Sequence, residues 1–322
     1  MISHMDSVGL KSSEDSGSQV VGRFAPSPTG PLHFGSLVAA VGSYCLARQA
    51  GGRWLLRIED LDLPRVAPGA ADNIMRTLEQ LGLVWDGPVV WQSQRTAAYQ
   101  AALEHLQQQG LLFDCGCSRK EILASAPHAG EEGPVYPGTC RQGLPPGRRP
   151  RMQRVSVPEG QVCFTDGVYG ERTQCLSEAV GDFVLRRADG LFAYQLAVVV
   201  DDADAGVNQV VRGADLLLST PRQVFLQSCL GYPIPHYVHL PLALGDDGQK
   251  ISKRHGVIET VVPGQEAMLL WRALHFLGQE FPVDGCEGGP AEILAWAAAH
   301  FNLSRVPRTD RQVPDIQLKN AK

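Results

Sequence analysis

The 322-residue sequence has no uninterrupted apolar run near the roughly 18–20 residues that a bilayer-spanning helix needs. A membrane-embedded protein is not expected. The stretch Met1 to Gln19 is rich in serine and glycine and has no apolar segment, so it is not a secretory signal and reads as a disordered leader. There is no excess of basic charge: 29 Lys and Arg against 34 Asp and Glu leave a net charge of −5. A polyanionic partner would therefore have to meet a local basic face. Eight cysteines are too dilute for a disulfide scaffold, which makes the cytoplasm the expected compartment. No internal repeat is visible. What is present is a 44% apolar composition with 20% charged residues, enough to bury a large core and to exclude global disorder.

Gln19 to Ala25 is a β-branched and aromatic run ended by Pro26. Three prolines and a glycine between Pro26 and Pro31 forbid both helix and ladder. Leu37 to Ala50 then reads as a helix stopped by Gly51-Gly52, and Trp54 to Ile58 as a second strand. Strand, Gly/Pro loop, helix and strand make a βαβ unit, the start of a parallel sheet covered by helices. Pro68 to Leu81 and Thr96 to Gln109 carry apolar residues three and four apart and read as amphipathic helices. Residues 111–165 look like an insertion. Phe183 to Arg186 and Leu191 to Val200 read as strands, the second closing on Asp201 and Asp202. Asp215 to Cys229 reads as helix around Thr220-Pro221, Tyr237 to Leu244 as strand, and Glu266 to Leu277 and Ala291 to Phe301 as helices. The expected division is a leader (1–19), a first catalytic half (20–110), the insertion (111–165), a second half (166–260), a C-terminal helical segment (261–305) and a polar, frayed tail (306–322).

Two stretches carry chemistry. Arg23-Phe-Ala-Pro-Ser-Pro-Thr-Gly-Pro-Leu-His-Phe-Gly-Ser36 is a Pro-rich loop that opens a helix. Gly30 and Gly35 let backbone approach a nucleotide, the helix N-terminus favours an anion, and His33 could donate to a phosphate oxygen. Lys250-Ile-Ser-Lys-Arg254, after the turn Gly245 to Gly248, could clamp a triphosphate and neutralise charge in a transition state. Each alone reads more readily as an ordinary loop.

Together and in this order they resemble the two signatures of class I aminoacyl-tRNA synthetases, with Ser36 in place of a second His and Arg254 in place of a final Ser. Arg57-Ile-Glu-Asp60, Phe192 to Ala197, Val211-Arg-Gly213 and His239-Leu-Pro-Leu242 extend the likeness to the catalytic half of glutamyl-tRNA synthetases, over about residues 20–260. The short remainder after Lys253 and the cysteine-bearing insertion resemble the glutamyl-queuosine tRNA(Asp) synthetases. That resemblance implies an α/β fold: a Rossmann-type parallel sheet with a small zinc-bearing insertion and a short C-terminal helical segment. It implies a ligase, a monomer, that activates L-glutamate with ATP and Mg²⁺ and transfers it to queuosine at the wobble position of tRNA(Asp). The alternative is a truncated glutamyl-tRNA synthetase that charges a tRNA 3′ end.

The resemblance assigns glutamate to Arg23, Phe24, Ala25, Pro26, Ser27, Glu59, Tyr194 and Arg212. The two arginines would grip the side-chain carboxylate, for which a guanidinium fork is suited; Glu59 would meet the ammonium. ATP falls to His33, Gly35, Lys250, Ser252 and Lys253, with His33 and Lys253 catalytic. Asp201-Asp202 invites a metal reading, but the resemblance gives it none, leaving a structural or tRNA-positioning role. Cys115, Cys117 and Cys140 suggest one structural Zn²⁺, which takes four ligands. General chemistry favours His128 as the fourth; the resemblance implies Tyr136. The arginines at 141, 148, 149, 151 and 154 form the densest basic stretch and read either as an RNA contact or as solvated loop charges.

Overall fold

The structure, a computed structural model, describes residues 19–130, 133–245, 247–251, 264–280 and 289–313. The chain opens with β1 (Val21–Phe24), α1 (Phe34–Gln49), β2 (Arg53–Ile58), α2 (Ala70–Gln80), β3 (Val90–Trp91) and α3 (Thr96–Gln108). A second group follows: β4 (Leu112–Cys115), α4 (Arg119–Ser125), the short pair β5 (Ala129–Gly130) and β6 (Gly133–Pro134), and β7 (Met152–Val155). Next come β8 (Gln161–Asp166), β9 (Gly170–Cys175), α5 (Leu176–Ala179) and β10 (Phe183–Arg186). The chain then forms α6 (Tyr194–Asp204), β11 (Gln209–Gly213), α7 (Thr220–Leu230), β12 (His236–Leu240) and β13 (Ala243–Leu244). The last elements are α8 (Glu266–Phe276), α9 (Pro290–His300) and β14 (Arg311–Gln312).

The main sheet has the order β3-β2-β1-β11-β12-β8-β9, parallel throughout except for the antiparallel β8–β9 hairpin. From β1 the chain crosses over α1 to β2 on one side, whereas β11 continues to β12 on the other. The reversal falls between β1 and β11, and the crevice beyond the carboxyl ends of such strands is where open α/β sheets bind ligands. Arg23 lies on β1 and Arg212 on β11, so the topology itself brings them together.

Helix α1 is buried almost all round, between the sheet and helices α8 and α9. Its Gly42 has a packing reason: a Cβ there would stand 2.6 Å from Leu240 Cδ1 on β12, so a side chain would force helix and sheet apart. The core around it includes Leu37, Val41, Trp54 and Leu56 from the first βαβ unit and Leu270, Leu274, Phe276, Ile293 and Leu294 from the last two helices. The C-terminal helices thus share the catalytic core. Among the described residues no helix is long and apolar enough to cross a membrane.

The structure corrects two expectations. Leu191 to Val200 does not form a strand: Tyr194–Asp204 is helix α6, in which Leu196 through Asp202 are all buried. A helix buried on every side loses the polar face that marks its period, and a run of valines then reads as strand. Nor is the tail frayed as far as Val313. β14 pairs in parallel with β13, and the Asp310 carboxylate accepts from the Leu242 amide at 2.8 Å. The small antiparallel sheet β10-β7-β4 carries the cysteine-bearing segment.

Candidate active site

At the carboxyl ends of β1 and β11 lies a cleft of about 740 Å³, within the usual size of small-molecule sites. Arg23, Phe24, Ala25, Pro26, Ser27, His33, Gly35, Glu59, Tyr194, Arg212 and Lys250 all line it. These come from β1 and its loop, the start of α1, the end of β2, the start of α6, β11 and the segment after β13, so the fold gathers what the sequence disperses. Ser252, Lys253 and Arg254 lie outside the described residues.

The floor of the cleft is a buried charge network. Arg23 Nε donates to Asp202 Oδ1 at 3.2 Å, and Arg57 Nη1 donates to the same oxygen at 2.6 Å. Arg57 Nη2 reaches Glu59 Oε1 at 3.2 Å. Asp201, next along α6, accepts from Arg95 Nε at 2.6 Å, Gln92 Nε2 at 2.8 Å and Tyr99 Oη at 2.9 Å. Two acids in the last turn of a helix oppose its dipole, and a buried carboxylate needs a counter-charge; the three arginines meet both demands. Burial alone would raise the Asp202 carboxyl, but Arg23 and Arg57 overcome it and hold it below the ordinary range. Asp201 and Asp202 are therefore occupied in ion pairs that brace the cleft, and sequence reasoning did not foresee that Arg57 and Arg95 would join them.

Glu59 behaves differently. Burial raises its carboxyl above the ordinary value of 4.5 although Arg57 and Arg23 oppose the shift. A cation arriving in the cleft would restore the balance. Tyr194 is also raised, by burial, so its hydroxyl stays a donor.

Arg212 is held on one edge. Nε donates to His239 Nε2 at 3.1 Å and Nη2 to Thr220 Oγ1 at 2.9 Å, while Nη1 makes a longer contact of 3.4 Å with Tyr194 Oη. His239, fully buried, has its Nδ1 2.6 Å from Asp166 Oδ2. Burial pushes this imidazole down to about 4 against the pull of Asp166, with Arg212 acting in the same direction as burial. His239 belongs to a motif legible in the sequence; Asp166 and Thr220 carried no local signal.

His33 is the N-cap of α1, where its Nδ1 accepts the Ser36 amide at 3.2 Å. That bond leaves the proton of a neutral ring on Nε2, the tautomer that donates, and Nε2 lies 3.2 Å from Ser36 Oγ. At Gly35 a Cβ would stand 3.2 Å from two atoms of the His33 ring, so any side chain there would press on the imidazole. Lys250 Nζ pairs with Asp215 Oδ2 at 2.5 Å at the cleft edge.

In the small sheet, the sulfurs of Cys115, Cys117 and Cys140 all lie within 4.8 Å of one another, and all three residues are buried. The Tyr136 hydroxyl is 3.4 Å from Cys115 Sγ and 3.8 Å from Cys117 Sγ, and accepts the Cys140 amide at 2.9 Å. The Arg154 guanidinium, itself buried, sits 4.2 Å from the Tyr136 ring centroid. Three convergent thiols could hold a metal ion. Burial and the neighbouring thiols push the Tyr136 phenol well above its ordinary range, with the Cys140 amide opposing the shift. His128 instead points its Nε2 at the Glu178 carbonyl, 2.7 Å away. Of the five clustered arginines, Arg141, Arg149 and Arg151 are exposed and Arg154 is buried; Arg141 pairs with Asp182 and Arg148 with Glu121 at 2.7 Å.

Residues 19–268 match the family model of class I tRNA synthetases (E and Q), catalytic domain. The glutamyl-Q tRNA(Asp) synthetase of Dechloromonas aromatica is 58% identical over 288 residues, covering 89% of this chain and 95% of that protein. The enzyme of the same name from Geobacter sulfurreducens is 56% identical over 295 residues, covering 89% and 94%. Among solved structures, a glutamate tRNA ligase from Elizabethkingia meningosepticum in complex with its amino acid superposes with a TM-score of 0.75 at 26% identity, covering 92% of this chain and 67% of that one. The glutamate-tRNA synthetase of Elizabethkingia anophelis gives 0.76 at 26% identity, covering 92% and 68%. A parallel sheet with its ligand crevice at the β1/β11 switch point, lined by residues of both signatures, is the architecture this likeness predicts, and the chain is a ligase that belongs to the glutamyl-Q tRNA(Asp) synthetase family, on the class I (E and Q) catalytic fold.

Proposed function

We propose that the protein activates L-glutamate with ATP and transfers it to queuosine in the anticodon of tRNA(Asp). The observation that carries the first half is the meeting of Arg23, Arg212 and the partly buried Glu59 in one cleft. Two guanidiniums and one carboxylate complement an amino acid with an extra side-chain carboxylate. With Nε of each arginine spent on the protein, the side-chain carboxylate is shared between them and the Tyr194 hydroxyl. Glu59 takes the ammonium, and Phe24 to Ser27 form the wall. The second half rests on the names of relatives about half identical or more over some nine-tenths of the chain.

In the first step a glutamate α-carboxylate oxygen attacks the α-phosphorus of ATP, and the bond to the bridging oxygen of pyrophosphate breaks. Negative charge grows on the phosphoryl oxygens and the leaving group, so catalysis is positioning and charge stabilisation. His33 Nε2 and the amides opening α1 meet the phosphates, Gly35 keeps the approach clear, and Lys250 leaves Asp215 to join them with Ser252 and Lys253. Mg²⁺ carried by ATP supplies further countercharge to pyrophosphate. In the second step a hydroxyl of the queuosine cyclopentene diol attacks the mixed anhydride; its proton leaves to phosphate or water, an ester forms and AMP departs. Cys115, Cys117, Cys140 and Tyr136 are the ligands we assign to one structural Zn²⁺, which ties the insertion together. The reading is of a monomer, working in the cytoplasm with its tRNA.

The raised Glu59 carboxyl gives a pH prediction. Ammonium binding needs the carboxylate, and Glu59 takes up a proton at a higher pH than an ordinary carboxyl. KM for glutamate is expected to rise as pH falls through that raised value, and Glu59→Gln is expected to raise KM and flatten the dependence; steady-state exchange rates against pH check it.

The transfer half is tested with labelled glutamate on purified tRNA(Asp), with and without queuosine and with and without its terminal adenosine. Label is expected wherever queuosine is present, whatever the terminus. Label on queuosine-free tRNA, or label that needs the terminal adenosine, would return the reading to charging of a 3′ end.

A further inference from the structure

We infer that Asp166 and His239 act as a two-residue relay that sets the orientation of Arg212, and so serve as positioning residues for recognition of the acidic side chain. This rests on the reading of Arg212 as a contact of the glutamate carboxylate. Neither residue lines the cleft, and both are buried.

Asp166 closes β8, and its carboxylate is held firmly. Oδ1 accepts the amides of Val168 at 3.0 Å and Tyr169 at 2.9 Å. Oδ2 faces the His239 amide at 3.1 Å and His239 Nδ1 at 2.6 Å. An ionised carboxylate only accepts, so Nδ1 must carry the proton. In a neutral ring Nε2 is then a bare lone pair, and it lies 3.1 Å from Arg212 Nε, which can only donate. The proton on one side of the ring thus decides whether the other side attracts or repels the arginine. Thr220 Oγ1, accepting from Nη2, and the Tyr237 ring, 5.4 Å beneath the guanidinium, complete the seat. With this edge pinned, Nη1 is the nitrogen that reaches the Tyr194 hydroxyl. A long arginine side chain is otherwise free in many rotamers, and fixing it in advance spares that cost when substrate binds.

Asp166→Asn tests the relay with almost no change of shape. Its carboxamide nitrogen would donate to Nδ1, move the ring proton to Nε2 and set two donors face to face at Arg212. Full-length protein is assayed by glutamate-dependent ATP–pyrophosphate exchange with tRNA(Asp) present, alongside thermal melting. Asp166→Asn is expected to raise KM for glutamate about tenfold or more, with kcat and KM for ATP within about threefold, the pattern of lost ground-state binding. His239→Gln offers one donor and one acceptor and is expected to stay within about threefold of the parent KM, whereas His239→Phe is expected to resemble Asp166→Asn. Arg212→Ala serves as the reference. If it raises KM for glutamate while Asp166→Asn and His239→Phe do not, the relay is wrong and the arginine reading stands. If Arg212→Ala itself leaves KM unchanged, the glutamate site is misassigned and the relay falls with it. Equal loss in kcat and both KM values with a lower melting temperature, shared by His239→Gln, would mark a purely structural pair and overturn the inference.

Discussion

Replacing Arg23 with alanine is expected to lower glutamate-dependent ATP–pyrophosphate exchange by on the order of 10²–10³-fold in kcat/KM, since truncating one partner of a buried, hydrogen-bonded charge pair between binding partners costs about 2–5 kcal/mol. The fold should survive. Asp202 keeps Arg57 Nη1 at 2.6 Å, and β1 keeps its backbone pairing with β2. The loss should fall on glutamate rather than on ATP, because Arg23 pairs with Asp202 beside Glu59, whereas the phosphates are assigned to His33 and the amides opening α1. Glutamine, which carries no side-chain charge, should lose less, so the preference for glutamate should narrow. Exchange rates with both amino acids, beside a melting curve, measure this. A variant that melts normally and keeps its glutamate rate would remove Arg23 from the recognition site.

Stripping the metal from the insertion is expected to loosen residues 116–150 while leaving the catalytic cleft in place. The buried cluster there consists of Cys115, Cys117, Ile122, Tyr136 and Cys140, so four of its five members are the assigned ligands and little apolar core remains without them. In small zinc modules the apparent binding free energy of about 10–16 kcal/mol is in effect the folding free energy. Here β4 and β7 remain anchored to β10 and to the helices beneath, which confines the damage. No residue of this segment lines the cleft. Elemental analysis should find one zinc per chain. After chelation, or in Cys117→Ser, amide exchange across 116–150 should quicken strongly while glutamate activation stays within about threefold. Unchanged protection in metal-free protein would contradict a structural zinc.

Much of the molecule is legible in its sequence because the relevant signals are local. The β1–loop–α1–β2 unit shows in the switch of apolar period and in its Gly/Pro punctuation, and the grouping of Cys115, Cys117 and Cys140 shows in the residue order. Helix α6 was not legible: it has no polar face, and its valines suit a strand as well as a buried helix. Arg23, Glu59, Tyr194 and Arg212 could be named through family resemblance, but composition and spacing could not show that they converge. The Asp166–His239 contact spans 73 residues and depends on β8 and β12 lying side by side, a register with no trace in either segment. The same holds for Arg95 and Asp201, 106 residues apart. Local pattern finds elements; the partners of buried charges come only from topology.

The central claim is that this cleft selects glutamate and forms its adenylate. The most direct measurement is ATP–pyrophosphate exchange by the intact protein, with tRNA(Asp) present, across glutamate, glutamine and aspartate. The account predicts exchange with glutamate and rates lower by about 10²-fold or more with the other two, one lacking the charge and one a methylene. Exchange that proceeds without any amino acid, or equally with glutamine, would contradict it.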